Sequence, residues 1–239
     1  MTTIQVFGFT GMLGQAVCRA VYKAGHRLFM VQELSYLIDE CPLINCAGLV
    51  KQKDAFPIQF IESNAIVPYR ISDYPLRMVH VSTDCVFSHS GVHSETDYIS
   101  GTDIYARSKF AGEVTEHPHL TVRTSFVGYG RHGLIQQMQS QEQVIASNNL
   151  LWSGHTADTI ADILVYLATR EDVTGLLHIP GEFTTRWKLC NLLKKHLPLR
   201  AEIVRDDSFV GDRRLVSNRW DSLGMPELIP FEEQVKRLK

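Results

Sequence analysis

The sequence predicts an α/β fold in which a doubly wound parallel sheet is shortened by about one strand. A glycine-rich turn joins the first apolar run to the first helical pattern, and apolar and helical runs then alternate along the chain. Such alternation places a parallel sheet between two layers of helices. Only 11 residues, 32–42, separate the second apolar run from the third, which leaves room for one crossover and not for an inserted strand.

Each element is predicted from its own pattern. Apolar runs predict strands at residues 4–7, 27–31, 42–46, 78–82, 120–125, 176–179 and 201–204. Helical spacing predicts helices at residues 12–24, near 57–72, near 105–115, at 156–169, at 185–197 and near 230–238. The chain is therefore long enough for one domain with a smaller lobe.

The composition is that of an ordinary globular protein. Hydrophobic residues make up 44% and charged residues 21% of the 239 residues, and the net charge is −2. No basic surplus points to nucleic acid or to an anionic membrane. The five scattered cysteines lack a C-x-x-C pair, which suits a reducing cytoplasm and argues against a zinc site. We therefore expect a cytoplasmic protein that holds no metal and spans no membrane.

The glycine-rich turn at residues 8–14 is a candidate phosphate cradle. Glycine lets backbone approach a pyrophosphate closely, and the start of a helix offers free N–H groups with a partial positive charge. Glycines at a tight strand-to-helix turn would also explain the pattern, but a strand before and a helix after favour a dinucleotide site. The candidate cofactor residues of this turn are Gly8, Thr10, Gly11, Met12, Leu13 and Gly14.

A phenol and an ammonium group share one helix face in the middle of the chain. Tyr105 and Lys109 are four residues apart, and a nearby ammonium lowers the pKa of a tyrosine toward the working range. Such a tyrosine can donate and accept a proton. A chance pair is the alternative for this motif alone. Thr83, at the end of a predicted strand, is expected beside Tyr105, because ligands bind beyond the carboxyl ends of parallel strands.

Taken together, these motifs resemble the extended short-chain dehydrogenase/reductases, and within them the dTDP-4-dehydrorhamnose reductase branch. The matching segments are residues 8–14, 45–48, 82–87, 105–109, 111–113 and 123–125. The resemblance implies a Rossmann-like fold that binds NAD or NADP, with a small C-terminal lobe for a nucleotide-sugar substrate. It implies a Rossmann region at residues 1–127 plus about 156–180, and a substrate-binding lobe at about 128–155 and 181–239.

The same resemblance implies roles for single residues. Tyr105 would donate a proton to a substrate ketone, Thr83 would hydrogen-bond the same oxygen, and Lys109 would hold the nicotinamide ribose. Asn64 either supports a proton relay through Lys109 or is a solvated polar residue of its helix. Three further small residues would line the cofactor: Cys46, Ala47 and Gly48.

Substrate-side residues are expected after the strands and in the arginine-rich C-terminal part. A diphosphate needs forked donors, and arginine supplies them, although a solvated charge is the alternative for any one arginine. The candidate substrate residues are Thr83, Asp84, Ser125, Arg213 and Arg214.

Cofactor preference depends on the residues after the second strand. An acidic residue there binds a ribose diol and favours NAD, whereas a basic residue favours NADP. Glu33 stands at this place and favours NAD, unless it only starts a helix in solvent.

Cys85 departs from the reductase branch, which commonly has an aromatic residue at this position. Here the chain resembles bifunctional nucleotide-sugar epimerase/reductases, in which a cysteine works with a later histidine, and His132 is the candidate partner. A small buried thiol that only fills space is the alternative. The expected function is reduction of a nucleotide-linked 4-keto-6-deoxy sugar. A bifunctional 3,5-epimerase/4-reductase, an NAD-dependent epimerase or dehydratase, and a non-catalytic nucleotide-binding regulatory subunit stay open, as does a homodimer.

Overall fold

A computed structural model of the chain describes residues 1–51, 55–88 and 91–238. The strands are β1 (Thr3–Phe7), β2 (Arg27–Val31), β3 (Leu43–Asn45), β4 (Met78–Thr83), β5 (Val92–His93), β6 (Leu120–Thr124), β7 (Phe126–Val127), β8 (Gln143–Ala146), β9 (Leu150–Ser153), β10 (His155–Thr156), β11 (Gly175–His178), β12 (Phe183–Thr185), β13 (Glu202–Arg205), β14 (Gly211–Asp212) and β15 (Arg214–Leu215). The helices are α1 (Met12–Lys23), α2 (Pro57–Ile61), α3 (Val67–Ser72), α4 (Ile104–Ala111), α5 (Leu134–Ser140), α6 (Ala157–Ala168), α7 (Arg186–His196) and α8 (Phe231–Lys236). Within these ranges, no helix is both long enough and apolar enough to cross a membrane.

The central sheet has six parallel strands in the order β11-β6-β4-β3-β1-β2. The predicted parallel sheet is therefore confirmed. β2 forms one edge, because residues 32–42 contain only a short 3₁₀ turn, Leu34–Tyr36, and no strand. The sheet thus lacks a strand on the β2 side, while β11 extends it on the other side.

Helices cover both faces of this sheet. On one face, Val17 of α1 and Leu164 of α6 pack with Ile4 of β1 in the main hydrophobic core. On the other face, Ile71 of α3 packs with Met78 of β4. Side chains alternate along each strand, so a single strand supplies apolar residues to both cores.

A second hydrophobic core lies in the C-terminal half. It joins Met138 of α5, Val144 of β8, Leu193 of α7 and Val235 of α8, all of which are buried. β8 pairs with β13, and β9 pairs with both β12 and β14, so these short strands form small sheets beside the central one. The division of the chain at residues 127, 155 and 180 stays a prediction.

Two predicted helices differ in detail from the observed ones. The helix expected near 57–72 contains a π-helical turn, Glu62–Ile66, between α2 and α3. Pro68 has no N–H to donate to the carbonyl of Asn64, so the regular α-helical bond is lost at this point. The helix expected near 105–115 already ends at Ala111, because Gly112 packs against the Asn64 carbonyl and residues 113–115 turn away.

A buried glutamine holds the shortened connection against the sheet. The Gln5 side chain is fully buried in β1. Its amide nitrogen donates to the carbonyl oxygens of Ile38 (2.8 Å) and Cys41 (2.9 Å), and its amide oxygen accepts from the Ile38 N–H (2.8 Å). Three bonds from one side chain thus hold the segment from Ile38 to Cys41 against β1.

We expect Gln5→Leu to lower the free energy of unfolding by about 1–3 kcal/mol, since it leaves partly buried backbone groups without partners. Urea denaturation measures this loss. The control is Gln143→Leu, because Gln143 is exposed and makes one side-chain bond, to Glu202 (2.9 Å); that change should stay below about 0.5 kcal/mol. Equal losses in the two variants would contradict the role of Gln5.

Candidate active site

The glycine turn packs directly against the end of β3. Gly8 has φ +79°, and a Cβ there would lie 2.5 Å from the Ala47 nitrogen. A Cβ at Gly14 would lie 2.2 Å from the Gly8 carbonyl oxygen. At Gly11 the nearest atom would be that same oxygen at 3.4 Å, which is an ordinary contact. The protein's own packing therefore requires Gly8 and Gly14, whereas Gly11 leaves space in front of the helix.

That space suits a dinucleotide phosphate. Gly11 is the N-cap of α1 and has no side chain to cap the helix, so the first N–H groups of α1 are available to a ligand. A cleft of about 270 Å³ adjoins the turn, lined by Phe7, Gly8, Phe9, Thr10, Val31 and Gln32. The residues present therefore fit the predicted cofactor site.

Neighbouring residues of the turn serve this site in different ways. Leu13 is buried in the main core, so only its backbone can face a ligand. Met12 packs its side chain toward Gly128 and Gly130. Glu33 is exposed and follows Gln32, which lines the cleft in its place.

Thr83 and Tyr105 meet at the carboxyl end of β4, as the sequence predicts. The Thr83 hydroxyl lies beside the Tyr105 phenol, and its oxygen accepts from the Cys85 N–H (3.2 Å). Asp103 caps α4 by accepting from the Ala106 N–H (2.8 Å), which fixes the start of the helix that carries Tyr105. A hydroxyl and a phenol are thus held together where an open parallel sheet binds its ligands.

The expectation that the Lys109 ammonium lowers the pKa of Tyr105 is wrong. Burial raises the pKa of Tyr105 above its usual range, and the nearby Cys85, Asp84 and Asp103 raise it further. The Lys109 side chain turns inward instead, and its Nζ donates to the Val81 carbonyl oxygen (2.7 Å). Helical spacing places the two residues on one face, but the buried carbonyl determines where the ammonium lies.

Lys109 lies in a dry environment. The residue is only 5% exposed, and burial lowers its pKa to about 8, while the nearby Glu113 and Cys46 oppose that shift. Its Nζ lies 3.2 Å from Nε2 of His80, which the sequence analysis did not single out.

Asn64 joins the cofactor side of the site to α4. It sits in the π-helical turn and is fully buried, so the alternative of a solvated polar residue is wrong. Its amide oxygen accepts from the Leu49 N–H (2.8 Å), and its nitrogen donates to the Leu49 carbonyl (3.1 Å) and the Ser108 hydroxyl (3.0 Å). A Cβ at Gly48 would lie 2.9 Å from the Asn64 oxygen and 3.9 Å from Lys109 Nζ. A relay through Lys109 stays a prediction.

Residues 46–48 lie between the glycine turn and Lys109. The Cys46 N–H donates to the Phe7 carbonyl (2.9 Å), and the Ala47 N–H donates to the Asn45 side-chain oxygen (3.0 Å). Burial raises the pKa of the Cys46 thiol, so it stays protonated.

Cys85 lines a cleft on the substrate side. The cleft, of about 140 Å³, is lined by Lys51, Cys85, Phe87, Ser88, Gly101, Thr102, Asp103, Val210, Gly211, Asp212 and Arg213. Arg213 Nη1 donates to the Cys85 sulfur (3.2 Å). Burial, followed by the Asp84 carboxylate, nevertheless raises the pKa of the thiol to about 12.

The structure does not bring His132 to Cys85. His132 is exposed in the loop that precedes α5, and its neighbour Gly133 faces Met12 at the start of α1. Among the described residues, no contact joins His132 to Cys85. The pair that an epimerase would use is therefore not assembled here.

The remaining substrate candidates separate into two groups. Asp84 is buried and accepts a hydrogen bond from the Thr83 hydroxyl (3.2 Å), so it supports Thr83, and burial raises its pKa. Arg214 faces away, because it binds both carboxylate oxygens of Asp212 (2.9 and 2.7 Å) and lies 4.7 Å from the Phe183 ring centre. Its role in substrate binding stays a prediction, and the ion pair with Asp212 already holds its guanidinium.

Sequence reasoning missed Lys51. Its ammonium pairs with Asp103 and lies 5.7 Å from the centre of the Tyr105 ring. Asp103 could have been found as the helix N-cap, three residues before Ala106. Nothing in the local pattern marks Lys51, because a loop brings it to the site.

Comparison with known proteins agrees with this geometry. The family model described as RmlD substrate binding domain matches residues 50–205. The chain belongs to that family. The matched range includes Thr83, Cys85, Tyr105 and Lys109.

Relatives of known sequence include dTDP-4-dehydrorhamnose reductase of Shigella flexneri, 30% identical over 125 residues. That match covers 46% of this chain and 42% of the reductase, so the chain aligns with under half the length of that relative. The spore coat polysaccharide biosynthesis protein SpsK of Bacillus subtilis is 25% identical over 218 residues, which cover 78% of this chain and 76% of SpsK.

Solved structures share the fold. The dTDP-4-dehydrorhamnose reductase of Bacillus anthracis, in complex with NADP, superposes with a TM-score of 0.82 at 17% identity, covering 100% of this chain and 98% of that one. The UDP-glucuronic acid 4-epimerase of Bacillus cereus, in complex with NAD, gives 0.75 at 14% identity, covering 98% and 94%. These likenesses confirm the predicted Rossmann-like fold.

We expect Gly11→Val to fold and to lose cofactor binding, because its side chain has room in the protein but occupies the space before α1. Fluorescence titration with NADH and with NADPH measures the affinity. The contrasting variant is Gly14→Ala, whose Cβ would meet the Gly8 carbonyl oxygen at 2.2 Å, so it should lose stability instead. Unchanged affinity in a folded Gly11→Val protein would contradict the cradle.

Proposed function

We propose that the protein is an NAD(P)H-dependent reductase of a nucleotide-linked 4-keto-6-deoxy sugar. The observation that carries the proposal is the placement of the Thr83 hydroxyl beside the Tyr105 phenol at the carboxyl edge of the sheet. Membership of the family, and relatives named as dTDP-4-dehydrorhamnose reductases, support the same substrate class.

The residues can perform the acid half of this reaction. A reduced nicotinamide cofactor supplies the hydride when it is bound. Tyr105 is protonated at neutral pH, since burial raises its pKa, and it can donate that proton to the ketone oxygen as negative charge develops there. Thr83 binds the same oxygen and orients it. Lys109, beside Gly48, is placed to bind the cofactor ribose.

The C-terminal lobe is the proposed site for the nucleotide-sugar. Arg213 reaches the cleft beside Cys85, and a guanidinium there can bind an oxygen-rich or phosphate-bearing ligand. The lobe's own core, around α5, α7 and α8, gives this surface a rigid support. This supports the proposed division into a Rossmann region and a lobe at about 128–155 and 181–239.

NAD is the proposed cofactor in preference to NADP. The cleft beside the glycine turn is lined by apolar residues, glycine, threonine and Gln32, with no lysine or arginine among them. A 2′-phosphate would need a basic partner, whereas Gln32 and the adjacent Glu33 suit a ribose diol. Tighter binding of NADH than of NADPH in the titration above would support this preference.

Reduction fits the site better than the alternatives do. Cys85 carries a protonated thiol and has no described contact with His132, which gives no support to epimerisation, and we assign Cys85 to the lining of the substrate cleft. The joined Thr83 and Tyr105 also favour catalysis over a purely regulatory, nucleotide-binding role.

The cytoplasm is the proposed location. All five cysteines carry free thiols in the structure, and Cys190 is buried in the core of the lobe. Free thiols are usual in a reducing compartment.

We also propose a homodimer formed through α2, α3 and α4. These helices adjoin one another and expose Ile58 (55%), Tyr69 (48%) and Phe110 (46%). A second copy of the chain could cover these exposed apolar side chains. We expect a dimer in light scattering and a monomer for the double variant Ile58→Glu/Phe110→Glu. Ile145→Glu, an exposed site in the lobe, is the control, and a wild-type monomer would contradict the proposal.

We expect Tyr105→Phe to lower kcat by roughly two to four orders of magnitude, the usual scale of a general acid, and to leave NADH affinity nearly unchanged. The assay follows NADH consumption with dTDP-, UDP- and GDP-linked 4-keto-6-deoxy sugars. Tyr98→Phe is the control, because Tyr98 is 85% exposed. Near-full activity in Tyr105→Phe would refute the assigned acid.

A further inference from the structure

Three polar side chains form a buried chain beneath the candidate active site. Asn45 and His80 are fully buried, and Lys109 is 5% exposed. Asn45 Nδ2 lies 3.1 Å from His80 Nδ1, and His80 Nε2 lies 3.2 Å from Lys109 Nζ. Two neighbouring strands, β3 and β4, and the helix α4 thus place one imidazole between an amide and an amine, away from water.

The direction of the first hydrogen bond is fixed by the backbone. The Asn45 amide oxygen accepts from the Ala47 N–H (3.0 Å), so its NH₂ group faces His80. An amide nitrogen can only donate, so His80 Nδ1 must accept. A neutral imidazole that accepts at Nδ1 carries its hydrogen on Nε2. Burial, followed by Lys109, holds the pKa of His80 well below its usual value, which agrees with a neutral ring.

The second hydrogen bond then constrains Lys109. The Nε2–H of His80 points at Nζ, and only a neutral amine has a lone pair to accept it. A charged ammonium has no lone pair, so Nζ and the Nε2–H of His80 would both be donors facing each other. The opposite ring tautomer would avoid this conflict, but it would place the Nδ1–H of His80 against the donating NH₂ group of Asn45. The Val81 carbonyl accepts from Nζ (2.7 Å) in either state. One arrangement of protons satisfies every bond of the chain, and in it Lys109 is neutral.

We propose that Asn45 and His80 are positioning residues, whose one-way hydrogen-bonded chain holds Lys109 in place and favours its neutral amine until a ligand supplies an acceptor. The part of this proposal that concerns the ligand rests on the proposed function, in which Lys109 meets a cofactor ribose. A ribose hydroxyl oxygen can accept from the ammonium, so cofactor binding should be accompanied by proton uptake when Lys109 starts neutral.

The charges around Lys109 agree in direction with this proposal. Burial lowers its pKa to about 8, and the two groups that oppose the shift, Glu113 and Cys46, face it from the end of α4 and the end of β3. If the bound state requires the ammonium, NADH affinity is greatest below this pKa and falls as the pH rises through it. A lysine with an ordinary pKa would give no such fall near pH 8.

Asn45→Asp should reverse the direction of both hydrogen bonds that His80 makes, with residue 45 and with Lys109. An aspartate oxygen facing Nδ1 accepts a hydrogen from it, so Nε2 becomes the acceptor and the Lys109 ammonium becomes a matched donor. We expect the pH midpoint of NADH affinity to rise by about 1 pH unit or more. The same change in a His80→Phe background should shift the midpoint much less, because the connecting ring is gone. Thr121→Val, which removes a buried hydroxyl bonded to Val114, is the control and should leave the midpoint in place.

The deciding experiment is NMR of the free, unaltered protein labelled with ¹⁵N-histidine, with His80→Phe used to assign the signal. Long-range ¹H–¹⁵N couplings report the ring tautomer. At about pH 9, above the pKa of about 8 of Lys109, we expect a neutral His80 with its hydrogen on Nε2. A hydrogen on Nδ1, or a charged ring, would overturn the proposal even if the variants fail to fold. The measurement needs neither cofactor nor sugar, so failure of the reductase proposal would leave its outcome independent.

Discussion

The close approach of Gly8 to Ala47 is the contact on which the rest of the site depends. A side chain at Gly8 would overlap the Ala47 backbone, and one at Gly14 would overlap Gly8 itself. This double contact sets the start of α1, and with it the N–H groups that face the cleft. It also fixes the segment after β3, whose next residue, Gly48, lies against Asn64 and Lys109. The glycine turn and the side chains of the candidate site are therefore held by one piece of backbone packing.

Exclusion of water sets the protonation states in the site. Burial raises the pKa of Tyr105 and of Cys85 and lowers that of Lys109, so each group is biased toward its neutral form. A neutral tyrosine is ready to donate a proton, and a neutral thiol is a poor base. The same physical cause therefore favours reduction and disfavours epimerisation at Cys85.

The sequence predicted those features that depend on local pattern. Glycine spacing located the turn, the short connection at 32–42 located the edge of the sheet, and strand ends located Thr83 near Tyr105. The features that it missed depend on which way a side chain turns after the chain has folded. The Lys109 side chain points inward because its Nζ donates to the buried Val81 carbonyl oxygen, and helical spacing does not predict that direction.

Other features that the sequence did not predict have equally specific causes. Arg213 and Arg214 are adjacent, yet only Arg213 reaches the cleft, because Asp212 binds the guanidinium of Arg214. The π-helical turn that buries Asn64 arises from Pro68, whose effect three-state helix patterns do not describe. The Asn45–His80–Lys109 chain joins residues that are far apart in sequence on two strands and a helix, and only the register of β3 against β4 brings them together.

The proposed reaction transfers a hydride to the ketone carbon of a nucleotide-linked sugar in this site. The most direct measurement uses NADH deuterated at the transferring position, a 4-keto-6-deoxy nucleotide-sugar and NMR of the product. We expect one deuterium at C4 of the sugar for each cofactor oxidised. In heavy water with unlabelled NADH, we expect no deuterium at C3 or C5. Tight binding of cofactor and sugar without transfer to C4 would contradict the proposed reduction. Deuterium gained at C3 or C5 would contradict the assignment of Cys85 to the cleft lining alone and would support a catalytic role for it.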